Sequence, residues 1–504
     1  MPNLKSDFRS YILQAGRFFS KRSWIFLILI LALALRLINI NQSLWLDEAI
    51  SFEAATKYSL RDLFLQFLPK DFNPPLYYLI LHFWLRFFPP SELFLRLPSV
   101  IFGFFTCFLI YKIYHLVFMD KKGALLALTL MATGPLLIYY SQEVRTYSLT
   151  TFLVCSSVYY FIKFLQCKKR LLAACYSLFT ILMLYSHYLI WLILPAQWLY
   201  FFNQKNKDRK LTFNLLICQF VIFFSYLPWL PILIRQLRIA KRIETDSNWG
   251  QVLGEASFKN IALIPVKFII GRTSFDNKIW YGFLVIILVL FFGFLIAKAF
   301  FYPFRKNPPD GGDPGSEKWM IGFWLLVPII LGSLISFKIP LLTYFRFLFC
   351  LPAFYLLVSR GVMMIKNKKA IIILLLGLNL FFSLRYLLDQ NFHRENWEEA
   401  VELLHQKNTA DAPVLIFQNV SAPFSYYDRK KSSLIFIYEK ESILDFDCVW
   451  LIPYSQPIFD PHDQTREWLK SQGFVRTFEQ HFRGVTLEKW QKLLLGRGNG
   501  IIDL

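Results

Sequence analysis

From residue 24 to residue 388 the chain is a succession of apolar runs, many close to the roughly 20 residues an α-helix needs to cross a bilayer, separated by short basic patches. Backbone N–H and C=O groups in hydrocarbon must find partners within their own segment, so runs of this kind fold as transmembrane helices. With 56% hydrophobic and 18% aromatic residues, the 504-residue chain has too little polar surface for a soluble globule. It reads as a polytopic α-helical membrane protein.

The first run, residues 24–40, follows Lys21-Arg22 and has no small-residue cleavage site behind it. It is therefore an uncleaved signal anchor that leaves residues 1–22 in the cytoplasm. The excess of Lys and Arg in cytoplasmic loops then makes Lys121-Lys122, Lys168-Lys169-Arg170, the 205–210 cluster, Arg305-Lys306 and residues 366–369 inside markers. Crossings fit near 123–140, 148–165, 171–186, 188–203, 211–230, 280–301, 319–337, 343–360 and 370–388. Between Asp47 outside and Lys121 inside the number must be odd, yet two apolar segments lie there, near 75–88 and 92–118. The first is only about 14 residues long. It opens on Asn73-Pro74-Pro75 and closes at Pro89-Pro90, which suits an interfacial or re-entrant helix. About eleven crossings result.

The net charge of +21 is largely the Lys/Arg excess that topology requires, so nucleic acid is not an expected partner. Basic residues outside that set are more telling. Arg145, Arg235, Arg238, Lys241, Arg242, Arg272, Lys338 and Arg346 fall on or near the outer face and suit an anionic headgroup. The seven cysteines show no CxxC and no paired spacing, so they read as small core residues. No Walker motif and no GxGxxG after a strand appears, which leaves no sign of ATP coupling.

After about Asp389 the pattern changes. An amphipathic helix over residues 395–405, strands over 413–418, 433–438 and 448–453, a helix over 463–471 and a hairpin around 474–487 predict a small α/β unit outside the membrane. The domain plan is thus 1–22 cytoplasmic, 23–389 transmembrane with a first external loop at 41–91, and 390–504 extracytoplasmic, covering the active face or holding an acceptor. The Pro/Gly-rich stretch 307–315 reads as a cytoplasmic linker.

The chemistry concentrates where the first run meets water. Asp47 and Glu48 stand side by side there, and carboxylates near hydrocarbon are costly unless solvated, paired or functional. Leu44-Trp-Leu-Asp-Glu-Ala49, Asn73-Pro-Pro-Leu-Tyr-Tyr78, Ser91-Glu92 with Leu95-Arg-Leu-Pro-Ser99, and Tyr139-Tyr-Ser-Gln-Glu-Val-Arg-Thr-Tyr147 follow in order. This series resembles the protein-mannosyltransferase-like branch of the C-type (GT-C) membrane glycosyltransferases, which includes the lipid A aminoarabinose transferases. The likeness is strong over about the first 200 residues and weaker beyond.

The resemblance implies an enzyme that transfers one sugar from a polyprenyl-phosphate carrier to a lipid, glycan or protein acceptor on the outer side of a membrane. The expected location is the bacterial inner membrane, with the active site facing the periplasm and membrane lipids as surroundings. Asp47 aligns with the family's catalytic acid and Glu48 completes the acidic pair. Many members carry His or Lys where Asn73 stands, and an Asp near Tyr147, so a second acid and a divalent metal stay open.

Residue chemistry fits this reading. A carboxylate in reach of an acceptor hydroxyl removes its proton as the anomeric carbon is attacked, and a preorganised guanidinium offsets the charge growing on the departing phosphate. Arg346, Lys338 and Arg145 are the candidates for the second task, and direct displacement inverts the anomeric centre. Asn73, Tyr77, Glu143, Tyr147 and His187 complete the candidate set. Structural alternatives stand beside each: helix capping for Asp47 and Glu48, a local ion pair for Glu143 and Arg145, a helix start for the Pro-Pro and Tyr-Tyr pairs, a bonded turn for His187, snorkelling for Arg346. Arg96 reads as structural. An oligosaccharyltransferase using a diphosphate-linked donor and a lipid-linked sugar transporter are the competing functions.

Overall fold

The computed structural model describes residues 21–204, 208–246, 254, 256–275, 277–301, 317–408 and 411–492. Most of the N-terminal segment, residues 205–207, the Arg305-Lys306 marker, the 307–315 linker and the side chains of Lys241 and Arg242 lie outside the described residues.

The apolar runs fold as helices whose ends fall close to the expected ones. The principal helices are α1 (Lys21–Leu37), α2 (Leu46–Thr56), α3 (Leu76–Trp84), α4 (Glu92–Phe118), α5 (Lys121–Thr133), α6 (Pro135–Ser141), α7 (Tyr147–Cys167), α8 (Arg170–Leu184), α9 (Ile193–Phe202), α10 (Arg209–Tyr226), α11 (Leu230–Asp246), α12 (Phe258–Ile270), α13 (Lys278–Phe301), α14 (Glu317–Ile335), α15 (Leu351–Met363) and α16 (Lys368–Leu388). Among the described residues seven helices are long and apolar enough to cross a bilayer, or eight when the bent pair α5–α6 counts as one span. Shorter apolar helices occupy Ser23–Leu37, Arg170–Leu184 and Tyr188–Phe202. Helix α3, nine residues long, begins directly after Pro75, as the proline pair predicts.

Contacts between the loops sort them onto two faces. Lys168 pairs with Asp208, and Gln166 donates to Glu317 at 3.5 Å, so the basic turns lie together. At the other face Val144 N–H donates to Glu48 and the Gln236 amide to the Leu68 carbonyl, so the first loop, the turn before α7, and α11 meet there.

The α5–α6 break is what delivers that turn. Pro135 has no N–H to continue the helix, and the chain bends by 55° at Gly134. A break strands the last four carbonyls of α5, and in an apolar interior each needs a donor. All four have one: Asn379 Nδ2 donates to Leu130 (2.9 Å), Arg36 to Met131 (3.3 Å) and Ala132 (3.1 Å), and Ser383 Oγ to Thr133 (2.7 Å). Arg36, fully buried in α1, is therefore a structural donor set rather than a stray charge. Arg36→Leu strands two carbonyls, at about 1–3 kcal/mol each. Melting of the detergent-solubilised protein is expected to drop by several degrees; an unchanged melting point would mean that these bonds are dispensable.

The C-terminal unit has the expected elements. Its helices are α17 (Trp397–Lys407), α18 (Ala422–Tyr427) and α19 (Gln464–Ser471). Its strands are β1 (Val414–Ile416), β2 (Leu434–Phe436), β3 (Cys448–Ile452), β4 (Phe474–Phe482) and β5 (Val485–Lys492), in the order β2-β1-β3-β5-β4. The first three strands are parallel, and β5 joins β3 and β4 antiparallel. Val414, Ile416, Trp450 and Ile452 from the sheet join the core that continues into the membrane helices.

Candidate active site

Asp47 and Glu48 occupy the first turn of α2. Successive helical residues differ by about 100° in direction, so neighbouring acids face different surroundings. Glu48 points inward and is fully buried. Its Oε1 accepts from Arg96 Nε at 2.9 Å and Val144 N–H at 2.9 Å, and its Oε2 from Arg96 Nη2 at 2.6 Å. Arg394 Nε stands 3.7 Å away, and the carboxylate also reaches back to Trp45 N–H at 3.4 Å. Burial opposes its charge, but the Arg394 and Arg96 guanidiniums and these bonds hold the carboxyl below the usual range. Arg96 in turn donates to the carbonyls of Ile40, Gln42 and Ser43, fixing the chain that leads into α2.

Asp47 points the other way. Its side chain is 34% exposed and meets Arg145 Nη2 at 3.5 Å. Arg145 Nη1 also lies 3.5 Å from Ser51 Oγ and from Tyr78 Oη, while its buried Nε has no hydrogen-bond partner among the described residues. Tyr78 donates to Asp71 at 2.8 Å, and Asn73 donates to Asp71 through its backbone (3.1 Å) and side chain (3.3 Å). Asn73 thus orients a second acid of the first loop, which the sequence reading missed; an Asp two residues before Asn-Pro was the available signal. Tyr77 is not part of this face. Its hydroxyl bonds Ser99 Oγ at 3.1 Å in a buried position, and the adjacent Tyr78 is the one that reaches Arg145.

The opposite wall comes from α7, the turn after α8 and the segment before α15. Tyr147 packs against His187 (6.3 Å between centroids) and Phe345 (5.5 Å), and Arg346 follows, donating to the Pro340 carbonyl at 3.3 Å. His187 accepts the Leu189 N–H at 3.2 Å. Burial, with the nearby Arg346 and Arg145 charges, holds its imidazole down at about 3, so it is neutral at physiological pH. Lys338 is not brought to this cluster: it is exposed in the turn after α14, and no hydrogen bond or ion pair among the described residues joins it to the site.

Glu143 lies behind Arg145, buried, with Oε1 3.9 Å from Arg394 Nη1 and Oε2 lacking a hydrogen-bond partner among the described residues. Burial pushes its carboxyl up to about 7, with Glu48 adding to the rise and the Arg394, Arg272 and Arg145 charges opposing it. A raised carboxyl disfavours its own ionisation in the fold, so the cost appears as pH rises from about 4.5 to about 7 and is constant above. Glu143→Gln, which cannot ionise, is therefore expected to melt higher than wild type at pH 8, by up to about 3 kcal/mol, and to show little advantage at pH 4.5. An equal difference at both values would show that Glu143 does not titrate in this range.

Arg272 was one of the outer-face basic residues suited to an anionic headgroup, whereas Arg394 belongs to a segment that carried no site signal. Both guanidiniums sit over the Tyr139 ring, at 4.7 and 4.6 Å, and both donate to its hydroxyl. Among the described residues no three His, Cys, Asp or Glu side chains converge as a metal would require. The two exposed-side acids, Asp47 and Asp71, are instead separated by Arg145 and Tyr78. This donor set does not fit a resident cation cage.

Residues 73–231 match the family model of dolichyl-phosphate-mannose-protein mannosyltransferase. No curated protein matches the sequence. Among solved structures, ArnT from Cupriavidus metallidurans bound to undecaprenyl phosphate is similar at 11% identity with a TM-score of 0.57, over 92% of this chain and 98% of that one. Its apo form gives 10% identity and 0.58 over 93% and 98%. The arabinofuranosyltransferase AftD from Mycobacteria gives 10% and 0.53, over 94% of this chain and 40% of that larger one. Identities this low establish fold. The chain has the fold of the C-type membrane glycosyltransferases, as the motif series implied.

Proposed function

We propose that the chain is an inverting glycosyltransferase that moves one sugar from a polyprenyl-phosphate carrier to an acceptor hydroxyl at the outer face of the membrane. The acceptor is a lipid, glycan or protein. The observation that carries this reading is the division of labour in the acidic pair: Glu48 is locked into the fold, whereas Asp47 is 34% exposed on the Arg145-bearing face.

In this reaction the acceptor O–H gives its proton to the Asp47 carboxylate as the oxygen attacks the anomeric carbon. The bond from that carbon to the lipid-phosphate oxygen breaks, and the phosphate leaves with the electron pair. Arg145, with its free Nε, and Arg346 are the cations that offset the phosphate charge; a fixed guanidinium matches phosphate geometry better than a lysine. Tyr147 and His187 line the sugar side, and a neutral imidazole there accepts or donates a hydrogen bond without repelling the two arginines. Glu143 and Asn73 act on Arg145 and Asp71 rather than on the sugar. The undecaprenyl phosphate of ArnT supports a monophosphate carrier. The three shorter apolar helices bring the crossings to about eleven, with residues 390–504 in the periplasm of a bacterial inner membrane.

Arg145→Gln is expected to weaken binding of polyprenyl monophosphate by roughly tenfold or more, the loss of a charge-assisted contact of about 1.5–3 kcal/mol. Ligand-induced thermal stabilisation in detergent measures it. Undiminished stabilisation in both Arg145→Gln and Arg346→Gln would remove the phosphate from this face.

A further inference from the structure

The extracytoplasmic domain grips the chain that leads into α2 at three consecutive residues. Arg394 N–H donates to Gln42 Oε1 (2.9 Å), Glu398 N–H to Ser43 Oγ (3.1 Å), and Leu44 N–H donates to Tyr427 Oη (2.8 Å). Arg394 does more than its backbone. Its side chain is 1% exposed and donates to the Gln142 carbonyl at 2.9 Å and to Tyr139 Oη at 3.2 Å. It also stands within 4 Å of Glu48 and Glu143. One guanidinium thereby bridges the turn carrying Asp47 and the turn carrying Arg145.

The segment that presents it is itself clamped. Arg483 donates to the Arg394 carbonyl, Asn396 N–H donates to the Arg483 carbonyl at 2.8 Å, and Tyr454 Oη donates to the Glu395 carboxylate at 2.8 Å. Gly484, at φ +75°, closes the β4–β5 turn so near Glu395 that a Cβ there would lie 2.6 Å from Glu395 Cγ. The sheet's hairpin therefore seats Arg394 against the membrane domain.

We propose that Arg394 is a positioning residue through which the extracytoplasmic domain assembles the active site, fastening the Asp47 turn to the Arg145 turn. It does not contact the reacting atoms, and the inference rests on the transfer reaction proposed above. Misplacing catalytic groups by an ångström costs roughly 100-fold in rate, so Arg394→Gln is expected to lower transfer by about that factor, and Arg394→Lys to recover part of it. The control is Arg466→Gln, which breaks a 2.6 Å pair with Glu488 inside the domain's own sheet and touches neither turn.

The test uses the full chain in proteoliposomes and reads amide hydrogen exchange beside transfer. Arg394→Gln should speed exchange in residues 46–56 and 142–147 while leaving β1 and β3 protected; Arg466→Gln should do the reverse. Removing the Arg394 charge should also move any inflection near pH 7 in the rate profile upward, since Glu143 then faces Glu48 with only Arg272 and Arg145 opposing. Unchanged exchange in both turns overturns the proposal, as does a loss of transfer accompanied by uniform loosening of the domain. Exchange reads the assembly without any donor, so a failure of the transfer reaction itself leaves this inference separately decided.

Discussion

An Asp47→Asn variant is expected to fold, bind the donor lipid phosphate and lose roughly 10²–10⁴ of its transfer rate. The amide keeps the size of the carboxylate and cannot take the acceptor proton. Because the Asp47 side chain is one-third exposed and its Arg145 pair is 3.5 Å long, little stability hangs on it. The loss should therefore appear in kcat, with the KM for donor changed far less, since the proposed mechanism assigns phosphate recognition to the arginines. Full activity in this variant would assign the base elsewhere, with Asp71 the next carboxylate on that face.

The neighbouring residue predicts the opposite outcome. Glu48→Gln removes the carboxylate that both the Arg96 and Arg394 guanidiniums face in a buried setting. Removing one partner from such an assembly costs about 3–5 kcal/mol. The melting temperature should fall sharply, and activity with it. The sign with pH follows from the depressed carboxyl: its contribution is full above the ordinary carboxylate range and is lost as pH falls through the lowered value, so wild type and Glu48→Gln should converge in acid. Arg96→Met should match Glu48→Gln in melting. A mild effect of either substitution would mean that water reaches this cluster.

How much of this was legible in the sequence depends on where a residue's partners lie. Helix ends followed from run length, basic markers and the Pro74-Pro75 start, because those are local properties. The small sheet was legible for the same reason: Cys448–Ile452 and the β4–β5 hairpin carry their own patterns. The acidic pair was located, but which of the two is buried and paired was decided by Arg96, 48 residues away, and Arg394, which only the fold brings near. Arg36 illustrates the same limit. Nothing about an arginine in an apolar run reports that a break at Gly134, about a hundred residues on, will leave carbonyls for it to satisfy. Tyr77 and Tyr78 were indistinguishable in sequence, and one helical step separates a packing residue from one that touches Arg145.

The proposed reaction is transfer of a single sugar from a lipid monophosphate with inversion. Its direct test is incubation of the protein in proteoliposomes with radiolabelled polyprenyl-monophosphate sugars and, in parallel, polyprenyl-diphosphate glycans, followed by the anomeric configuration of the product. Label is expected to move from a monophosphate donor, inverted at the anomeric carbon, and to be lost in Asp47→Asn. Transfer from the diphosphate donor alone, or a retained configuration, would contradict it.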